Sequence, residues 1–188
     1  PALACLPSYT QLGMAALLPH TTLALAEDGS GEALMDGGSA TGSANRAKVL
    51  AQAVSASAVV LAKDVLSMSK DDSRALIRDH DVVYVYHNLI DKTGDTRDTE
   101  DRVFAAAEET LQELVRLIKR LANANASNLL VTADHGFIYQ NRVLEESDFL
   151  VCEPAGDDIY YRNRRFVLGT GMHASGSFKT FMPAELGL

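Results

Sequence analysis

The chain has 188 residues, of which 47% are hydrophobic and 22% charged, and its formal net charge is −8. This composition is typical of a globular protein, and the acidic balance excludes a domain-wide basic surface for nucleic acid. Because no apolar run reaches the roughly 20 residues of a membrane helix and no secretory signal opens the chain, we expect a cytoplasmic protein. Cys5 and Cys152 stand far apart, which argues against a disulfide framework and against a cysteine zinc site.

The first half of the chain predicts short elements. Residues 11–18 carry helix formers before Pro19 and predict a short buried helix that begins after Ser8-Tyr9-Thr10. Residues 27–45 are rich in Gly, Ser and Asp and predict a surface hairpin. Residues 44–54 are consistent with a helix. Residues 57–62 are either a buried strand or the continuation of that helix, and periodicity alone does not decide.

The second half predicts a strand, a long helix and a second strand. Residues 81–86 are a dense β-branched and aromatic run typical of a buried strand. Asp98-Thr-Glu-Asp101 predicts the start of a helix. Its apolar positions recur every three or four residues at Val103, Ala107, Leu111, Leu114, Ile118 and Leu121. Leu129–Thr132 reads as another buried strand, which completes a βαβ unit with parallel strands.

Both predicted strands are followed by His and Asp side chains. His87 and Asp91 follow the first strand, and Asp134 and His135 follow the second. In an open α/β sheet the ligand site lies outside the carboxyl ends of the strands, and carboxylate plus imidazole binds zinc and related divalent ions. The structural alternatives stay open: Asp134-His-Gly136 is also compatible with a capped turn, and His87 with a bond to a backbone carbonyl.

Hydroxyl and basic residues complete the set of candidates. A hydroxyl at a helix start near a divalent ion is a credible nucleophile, and Thr10 and Ser8 both fit by position, although each is also compatible with a helix cap. The basic side chains near the end of the chain are compatible with a phosphate contact or with an ordinary surface; they are Arg162, Arg164, Arg165 and His173.

Four motifs in order carry a family resemblance. They are Leu6-Pro-Ser-Tyr-Thr10, Gly13-Met-Ala-Ala-Leu-Leu-Pro19, Tyr84-Val-Tyr-His87 with Asp91, and Val131-Thr-Ala-Asp-His-Gly-Phe137. Together they resemble the PglZ domain, an alkaline phosphatase superfamily member known from BREX phage-defence systems. The resemblance runs through essentially the whole chain, so we expect one domain over residues 1–188 with a Gly/Ser-rich surface segment at about 27–45.

The resemblance implies an alkaline phosphatase-like three-layer α/β/α sandwich with a mostly parallel sheet, present here as a fragment. It also implies a phosphohydrolase or phosphodiesterase with two divalent ions, zinc in the first place and Mn²⁺ or Mg²⁺ as alternatives. Thr10 matches the nucleophile, Asp134 and His135 match the ligands of the nucleophile-side ion, and His87 with Asp91 lie in the segment that serves the second ion. Here His precedes Asp, the reverse of the familiar phosphodiesterase order.

The same resemblance implies partners and further ligands. An Asp upstream of the nucleophile and a late His-Gly-Gly segment are not among the 188 residues, so we expect a domain truncated at both ends and a fragment that lacks part of its metal site. The implied substrate is a phosphate ester or phosphodiester such as a nucleotide or nucleic acid, and the implied partners are other phage-defence proteins. The alternative function is a non-catalytic scaffold domain in a multi-protein defence complex.

Overall fold

The computed structural model describes residues 7–94, 103–136, 145–148, 153–163, 166–174, 180–182 and 185. Helices and both parallel and antiparallel strand pairs occur among them, which confirms the α/β class. The chain divides into two compact units: residues 1–46 with 133–188 form unit 1, and residues 47–132 form unit 2. Each unit is described by itself. That the chain as a whole is one domain, truncated at both ends, stays a prediction.

Unit 1 begins with the predicted helix and a small antiparallel sheet. Helix α1 spans Thr10–Ala16 and buries Leu12, Gly13 and Ala15. The sheet consists of β1 (Leu23–Leu25), β2 (Ala33–Met35) and β3 (Gly38–Ser39) in that order. Strands β2 and β3 form a hairpin within the predicted Gly/Ser-rich segment. Its two turn residues, Asp36 and Gly37, have φ angles of 48° and 79°, as a tight hairpin turn requires.

A second hairpin belongs to unit 1. Strand β6 (Asp158–Arg162) pairs antiparallel with β7 (Val167–Thr170), and an isolated bridge joins Ala155 to His173. A short 3-10 helix spans Glu146–Asp148. The β6–β7 hairpin had no clear signal in the sequence, because charged residues interrupt its apolar alternation.

Unit 2 is built around a parallel strand pair. Its elements in chain order are α2 (Ser43–Ala53, which begins before the unit boundary), β4 (Ser57–Leu61), α3 (Ala62–Ser67), α4 (Lys70–Arg78), β5 (Val82–Tyr86), α5 (Leu89–Gly94) and α6 (Val103–Asn123). Strands β4 and β5 pair in parallel from Ser57↔Val82 to Leu61↔Tyr86. Residues 57–61 are therefore a strand, which decides between the two alternatives for this segment. The predicted strand over 81–86 is confirmed.

The core of unit 2 lies between α3 and α6. Ala62, Val65, Leu117 and Leu121 are buried there, and partly buried apolar side chains from β4, α4 and β5 pack against them. Helix α6 thus supports the end of β5 from one side. This arrangement matters for the site because His87 follows β5 directly.

The predicted long helix is confirmed as α6 (Val103–Asn123), but the strand predicted to follow it is wrong. Residues 129–132 form no strand, and Leu130 is 90% exposed. A strand exists only where a neighbour supplies hydrogen-bond partners, and no strand among the described residues pairs with this segment. The parallel pair is instead β4–β5, with α3 and α4 as the connection. Along α6, Leu111 and Ile118 are 60% and 38% exposed. Apolar residues lie on several faces of this helix, and the face that packs against the core is not the one that carries these two.

Some predictions fall outside the described residues. They concern the helix start at Asp98-Thr-Glu-Asp101, the cysteines Cys5 and Cys152, and the arginines Arg164 and Arg165. Among the residues that are described, no helix is both long and apolar enough to cross a membrane.

Candidate functional site

Thr10 lies at the start of α1, where its hydroxyl faces a histidine from a distant part of the chain. Tyr9 is the N-cap with extended backbone angles (φ −154°, ψ 157°), and Thr10 is the first helical residue. The Thr10 Oγ1 atom lies 3.1 Å from His135 Nε2, although 125 positions separate the two residues. Unit 1 therefore brings the predicted nucleophile and one predicted metal ligand into direct contact.

The other nitrogen of His135 indicates which tautomer the ring adopts. His135 Nδ1 lies 2.8 Å from the carbonyl oxygen of Gly136. A carbonyl oxygen only accepts hydrogen bonds, so Nδ1 carries the proton. In the neutral ring Nε2 then holds a lone pair, and the Thr10 hydroxyl donates to it. The lone pair of His135 is thus directed at the hydroxyl oxygen that the family resemblance assigns as the nucleophile.

Asp134 contributes a carboxylate to the same place. Its Oδ2 atom lies 3.6 Å from His135 Nε2, and the side chains of Asp134 and His135 are only 19% and 14% exposed. One imidazole nitrogen therefore has a hydroxyl oxygen and a carboxylate oxygen close to it. This is a mixed nitrogen and oxygen donor set of the kind that binds divalent ions.

Gly13 allows the Asp134 backbone to approach α1 closely. A Cβ atom on Gly13 would lie 2.1 Å from the Asp134 carbonyl oxygen and 2.6 Å from its carbonyl carbon. No side chain fits between these two segments. Gly13 lies one helical turn after Thr10, so this contact fixes Asp134 and His135 beside the start of α1. The sequence analysis did not assign this role, although a glycine inside a predicted buried helix could have indicated it, since glycine is otherwise unfavourable there.

Tyr9, the residue directly before Thr10, contacts two other segments of unit 1. Its side chain is buried, and its hydroxyl donates a hydrogen bond of 2.9 Å to the Gly31 carbonyl. Its ring lies 5.9 Å from the Tyr161 ring and 5.1 Å from the Phe166 ring. These contacts hold the N-terminus of α1 in place. The β6–β7 hairpin supplies both aromatic partners, so it supports the site although the sequence did not indicate it.

His87 and Asp91 belong to unit 2. His87 follows β5 after Tyr86, and its Nε2 lies 2.8 Å from Glu113 Oε2 on α6. Asp91 lies in the first turn of α5 and is exposed. Glu113 was not predicted from the sequence, because one acidic residue on a long charged helix is indistinguishable from its solvated neighbours.

The remaining candidates form no cluster with these residues in the described part of the chain. Arg162 is exposed, and its Nη2 lies 3.4 Å from the Pro154 carbonyl. His173 is exposed, and its Nδ1 lies 3.2 Å from the Gly171 carbonyl. Ser8 is half-buried, and no hydrogen bond from its side chain is among the described contacts. Of the two hydroxyls, that of Thr10 is the one with a described contact to His135; which of them is the nucleophile stays a prediction.

Comparisons with known proteins converge on one family. A family model for the BREX system PglZ alkaline phosphatase-like domain matches residues 1–188. The chain is 39% identical over 168 residues to the alkaline phosphatase-like protein BrxZ of Escherichia coli O9:H4 (strain HS), covering 89% of this chain and 19% of that protein. It is 38% identical over 166 residues to the alkaline phosphatase-like protein PglZ of Bacillus cereus (strain H3081.97), covering 88% and 19%.

The chain thus spans about a fifth of the length of these two relatives. No solved structure gives a significant match to the chain.

Proposed function

The chain belongs to the PglZ family, the alkaline phosphatase-like domain of BREX systems, and on that premise we propose that it hydrolyses phosphoric esters with a divalent metal ion. The substrate class that we propose is phosphodiesters, such as nucleotides or nucleic acid, and the setting is bacterial defence against phage. The net charge of −8 favours a substrate bound at a local site over one held by a broad basic surface.

The observation that carries this proposal is the contact between Thr10 and His135. The hydroxyl oxygen lies 3.1 Å from Nε2, and the Gly136 carbonyl holds the ring proton on Nδ1. A hydroxyl is a weak nucleophile unless a base or a metal ion activates it. The lone pair on Nε2 is in position to accept the hydroxyl proton or to bind an ion beside the oxygen.

His135 Nε2 lies at distances from the Thr10 and Asp134 oxygens that ligands of one ion would have. Ligand atoms about 2.0–2.2 Å from a tetrahedral zinc ion lie about 3.4 Å from one another. The distances from His135 Nε2 to Thr10 Oγ1 and to Asp134 Oδ2 are 3.1 Å and 3.6 Å. We propose Asp134, His135 and the Thr10 oxygen as ligands of this ion; within the described residues no third His, Cys, Asp or Glu side chain joins Asp134 and His135 in a metal-holding group.

The mixed oxygen and nitrogen set fits Zn²⁺ first, with Mn²⁺ and Mg²⁺ as alternatives. When bound, the ion supplies a Lewis acid that makes the Thr10 oxygen more nucleophilic and stabilises charge on the phosphoryl oxygens. His87 and Asp91 are proposed ligands of a second ion.

The chemistry that we propose for the chain's own residues is a double displacement at phosphorus. Thr10 Oγ1 forms a bond to phosphorus while the bond between phosphorus and the leaving alcohol breaks, and the hydroxyl proton passes to solvent. The leaving alcohol takes a proton from water. A water molecule then cleaves the phosphothreonine ester and restores the hydroxyl. The Gly136 carbonyl keeps the His135 ring in one orientation throughout by accepting from Nδ1.

Other phage-defence proteins are the partners that we propose, because the family model that matches the chain describes a BREX-system domain. The alternative function, a non-catalytic scaffold in such an assembly, requires the same fold but no reactive hydroxyl. Thr10 therefore distinguishes the two functions.

The test is hydrolysis of bis-p-nitrophenyl phosphate by the full-length protein with added Zn²⁺ or Mn²⁺. We expect activity that Thr10→Ala and Asp134→Ala abolish without changing the unfolding midpoint by more than a few degrees. Thr21→Ala is the matched control, because Thr21 is exposed and, among the described contacts, bonds through its backbone amide alone, to Asp36. A well-folded protein that binds neither ion and remains inactive would favour the scaffold function.

A further inference from the structure

The Gly/Ser-rich segment contacts the residues on both sides of Thr10. On one side, the Tyr9 hydroxyl donates a hydrogen bond of 2.9 Å to the Gly31 carbonyl. On the other side, Gln11 Oε1 lies 3.0 Å from the Thr41 hydroxyl oxygen. All of these residues belong to unit 1. A segment whose composition predicts only a surface hairpin thus reaches the start of α1 at two places.

Glu32 lies at the centre of the hydrogen bonds that order this segment. Its backbone N–H donates to the Ser30 hydroxyl oxygen at 3.1 Å, and its carbonyl accepts from the Ala26 N–H at 2.9 Å. Its carboxylate atom Oε1 accepts hydrogen bonds from the hydroxyls of Ser39 and Thr41, the latter at 2.9 Å. Because both its backbone and its carboxylate are bonded, Glu32 is held in one place.

Thr41 connects Glu32 to α1. Its backbone N–H donates to Ser39 Oγ at 3.1 Å, and its carbonyl accepts from the Asn45 side chain at 3.0 Å. The Thr41 hydroxyl has one proton, and the charged carboxylate of Glu32 is its stronger acceptor. The hydroxyl oxygen then accepts from the side-chain amide of Gln11, whose nitrogen and oxygen exchange places by a flip of the amide. Glu32, Thr41 and Gln11 therefore form one hydrogen-bond chain that ends on the first turn of α1.

Helix α1 depends on such contacts because it lacks local ones. It has only seven residues, its N-cap residue Tyr9 forms no side-chain capping bond, and its first turn has no acidic residue. A helix of this length is unstable by itself, and a side-chain cap is the bond that most often holds a helix start. The position of the first turn, and with it that of Thr10, is therefore set by bonds from other segments of unit 1.

We propose that Glu32 is a positioning residue for Thr10. It acts through Thr41, which holds the first turn of α1 by its contact with Gln11. The inference rests on the proposed function, in which Thr10 Oγ1 is the nucleophile, and it adds a role for the Gly/Ser-rich segment in that function. Both described partners of the Glu32 carboxylate are hydroxyl groups, so we expect its acceptor oxygen to matter and its charge not to.

The test is steady-state hydrolysis of bis-p-nitrophenyl phosphate by the full-length protein with Zn²⁺. Glu32→Ala should lower kcat about 10-fold, less than the roughly 100-fold effect of a 1 Å misplacement, because the Tyr9 contacts remain. KM should change by less than about twofold, since Glu32 acts on the nucleophile and not on the bound substrate. Glu32→Gln keeps an acceptor oxygen and should retain most of the activity.

Glu27→Ala is the matched control for these variants. Glu27 lies in the same segment and is exposed, and no bond of its side chain is among the described contacts. Its kcat should stay within about twofold of the wild-type value.

Thr41 provides a second, independent pair of variants. Thr41→Val removes the hydroxyl at nearly constant volume and should lower kcat as Glu32→Ala does, whereas Thr41→Ser should keep most of the activity. The double variant of Glu32→Ala and Thr41→Val should be within about twofold of either single variant, because both substitutions break the same hydrogen-bond chain. All rates are measured at a temperature at which each variant is folded, as judged by its unfolding curve.

The inference is overturned if folded Glu32→Ala or Thr41→Val hydrolyses the ester with the wild-type kcat, because a purely structural contact would lower only the unfolding midpoint. It is also overturned if Glu32→Gln is as slow as Glu32→Ala, since the charge would then be what matters. If the wild-type protein shows no hydrolysis, the proposed function falls and the inference falls with it. An active wild type with an unimpaired Glu32→Ala removes the inference alone, so the two failures are distinguishable.

Discussion

Replacing Gly13 with alanine sets two physical effects against each other. In the interior of a helix alanine is more favourable than glycine by about 1 kcal/mol. On propensity alone, Gly13→Ala should therefore stabilise α1. The new Cβ atom, however, would lie 2.1 Å from the Asp134 carbonyl oxygen.

The steric effect should exceed the propensity effect. An ordinary contact between such atoms is about 3.5 Å, so the two backbones must separate by more than about 1 Å. Extra atoms forced into a packed site cost about 1–3 kcal/mol, and the cost should lie near the upper end because the neighbour is backbone. We expect a net loss of stability of about 1–2 kcal/mol. We also expect a drop in hydrolysis of about 100-fold, since a 1 Å misplacement at a reacting group has that effect.

Urea unfolding and bis-p-nitrophenyl phosphate hydrolysis measure the two effects. Gly38→Ala is the matched control, because its Cβ atom would meet only the Met35 carbonyl oxygen at an ordinary 3.5 Å. An increase in stability of about 1 kcal/mol for Gly13→Ala, as propensity alone predicts, together with unchanged hydrolysis, would refute the close contact between α1 and Asp134.

Three further predictions concern stability. Tyr9→Phe keeps the ring contacts but leaves a buried carbonyl without its donor, so urea unfolding should show a loss of about 1–3 kcal/mol. Leu117→Ala should cost about 2–5 kcal/mol because its side chain is only 5% exposed; Leu111→Ala, at a site that is 60% exposed, should cost less than about 1 kcal/mol. Backbone hydrogen bonds, that from Thr22 first, lower the pKa of Asp36. This stabilisation is present at neutral pH and is lost as pH falls below about 4, so the Asp36→Asn unfolding midpoint should fall less than that of the wild type between pH 6 and 3.

Local patterns correctly predicted a helix, a strand and a hairpin. The helix at Thr10–Ala16 and the strand at Val82–Tyr86 have clear composition and length, and the hairpin at Asp36-Gly37 has residues that accept positive φ angles. Residues 129–132 have an equally apolar strand pattern but form no strand. A strand depends on a neighbouring strand that forms hydrogen bonds with it, and apolar composition alone does not indicate whether such a neighbour is present.

In the candidate site, too, residues that belong to a local motif were predicted, and residues that act through contacts with distant residues were not. Thr10, Asp134 and His135 were predicted from motifs, and within unit 1 Thr10 and Asp134 both lie close to the His135 ring. Gly13, Tyr9 and Glu113 were not singled out, because each acts through a contact with a distant residue. Nothing in the local sequence distinguishes a glutamate that meets a histidine from one that meets water.

The most direct test of the account is whether Thr10 becomes phosphorylated during turnover. The full-length protein would be mixed with a phosphate ester and Zn²⁺, quenched in acid and digested, and the peptide that carries residue 10 would be analysed by mass spectrometry. We predict a phosphoryl group on Thr10, still esterified to the retained alcohol when the substrate is a phosphodiester, that is absent when the substrate is omitted and absent from Thr10→Ala. Sustained hydrolysis by Thr10→Ala at the wild-type rate, with no phosphoryl group on this peptide in the wild type, would contradict the central claim.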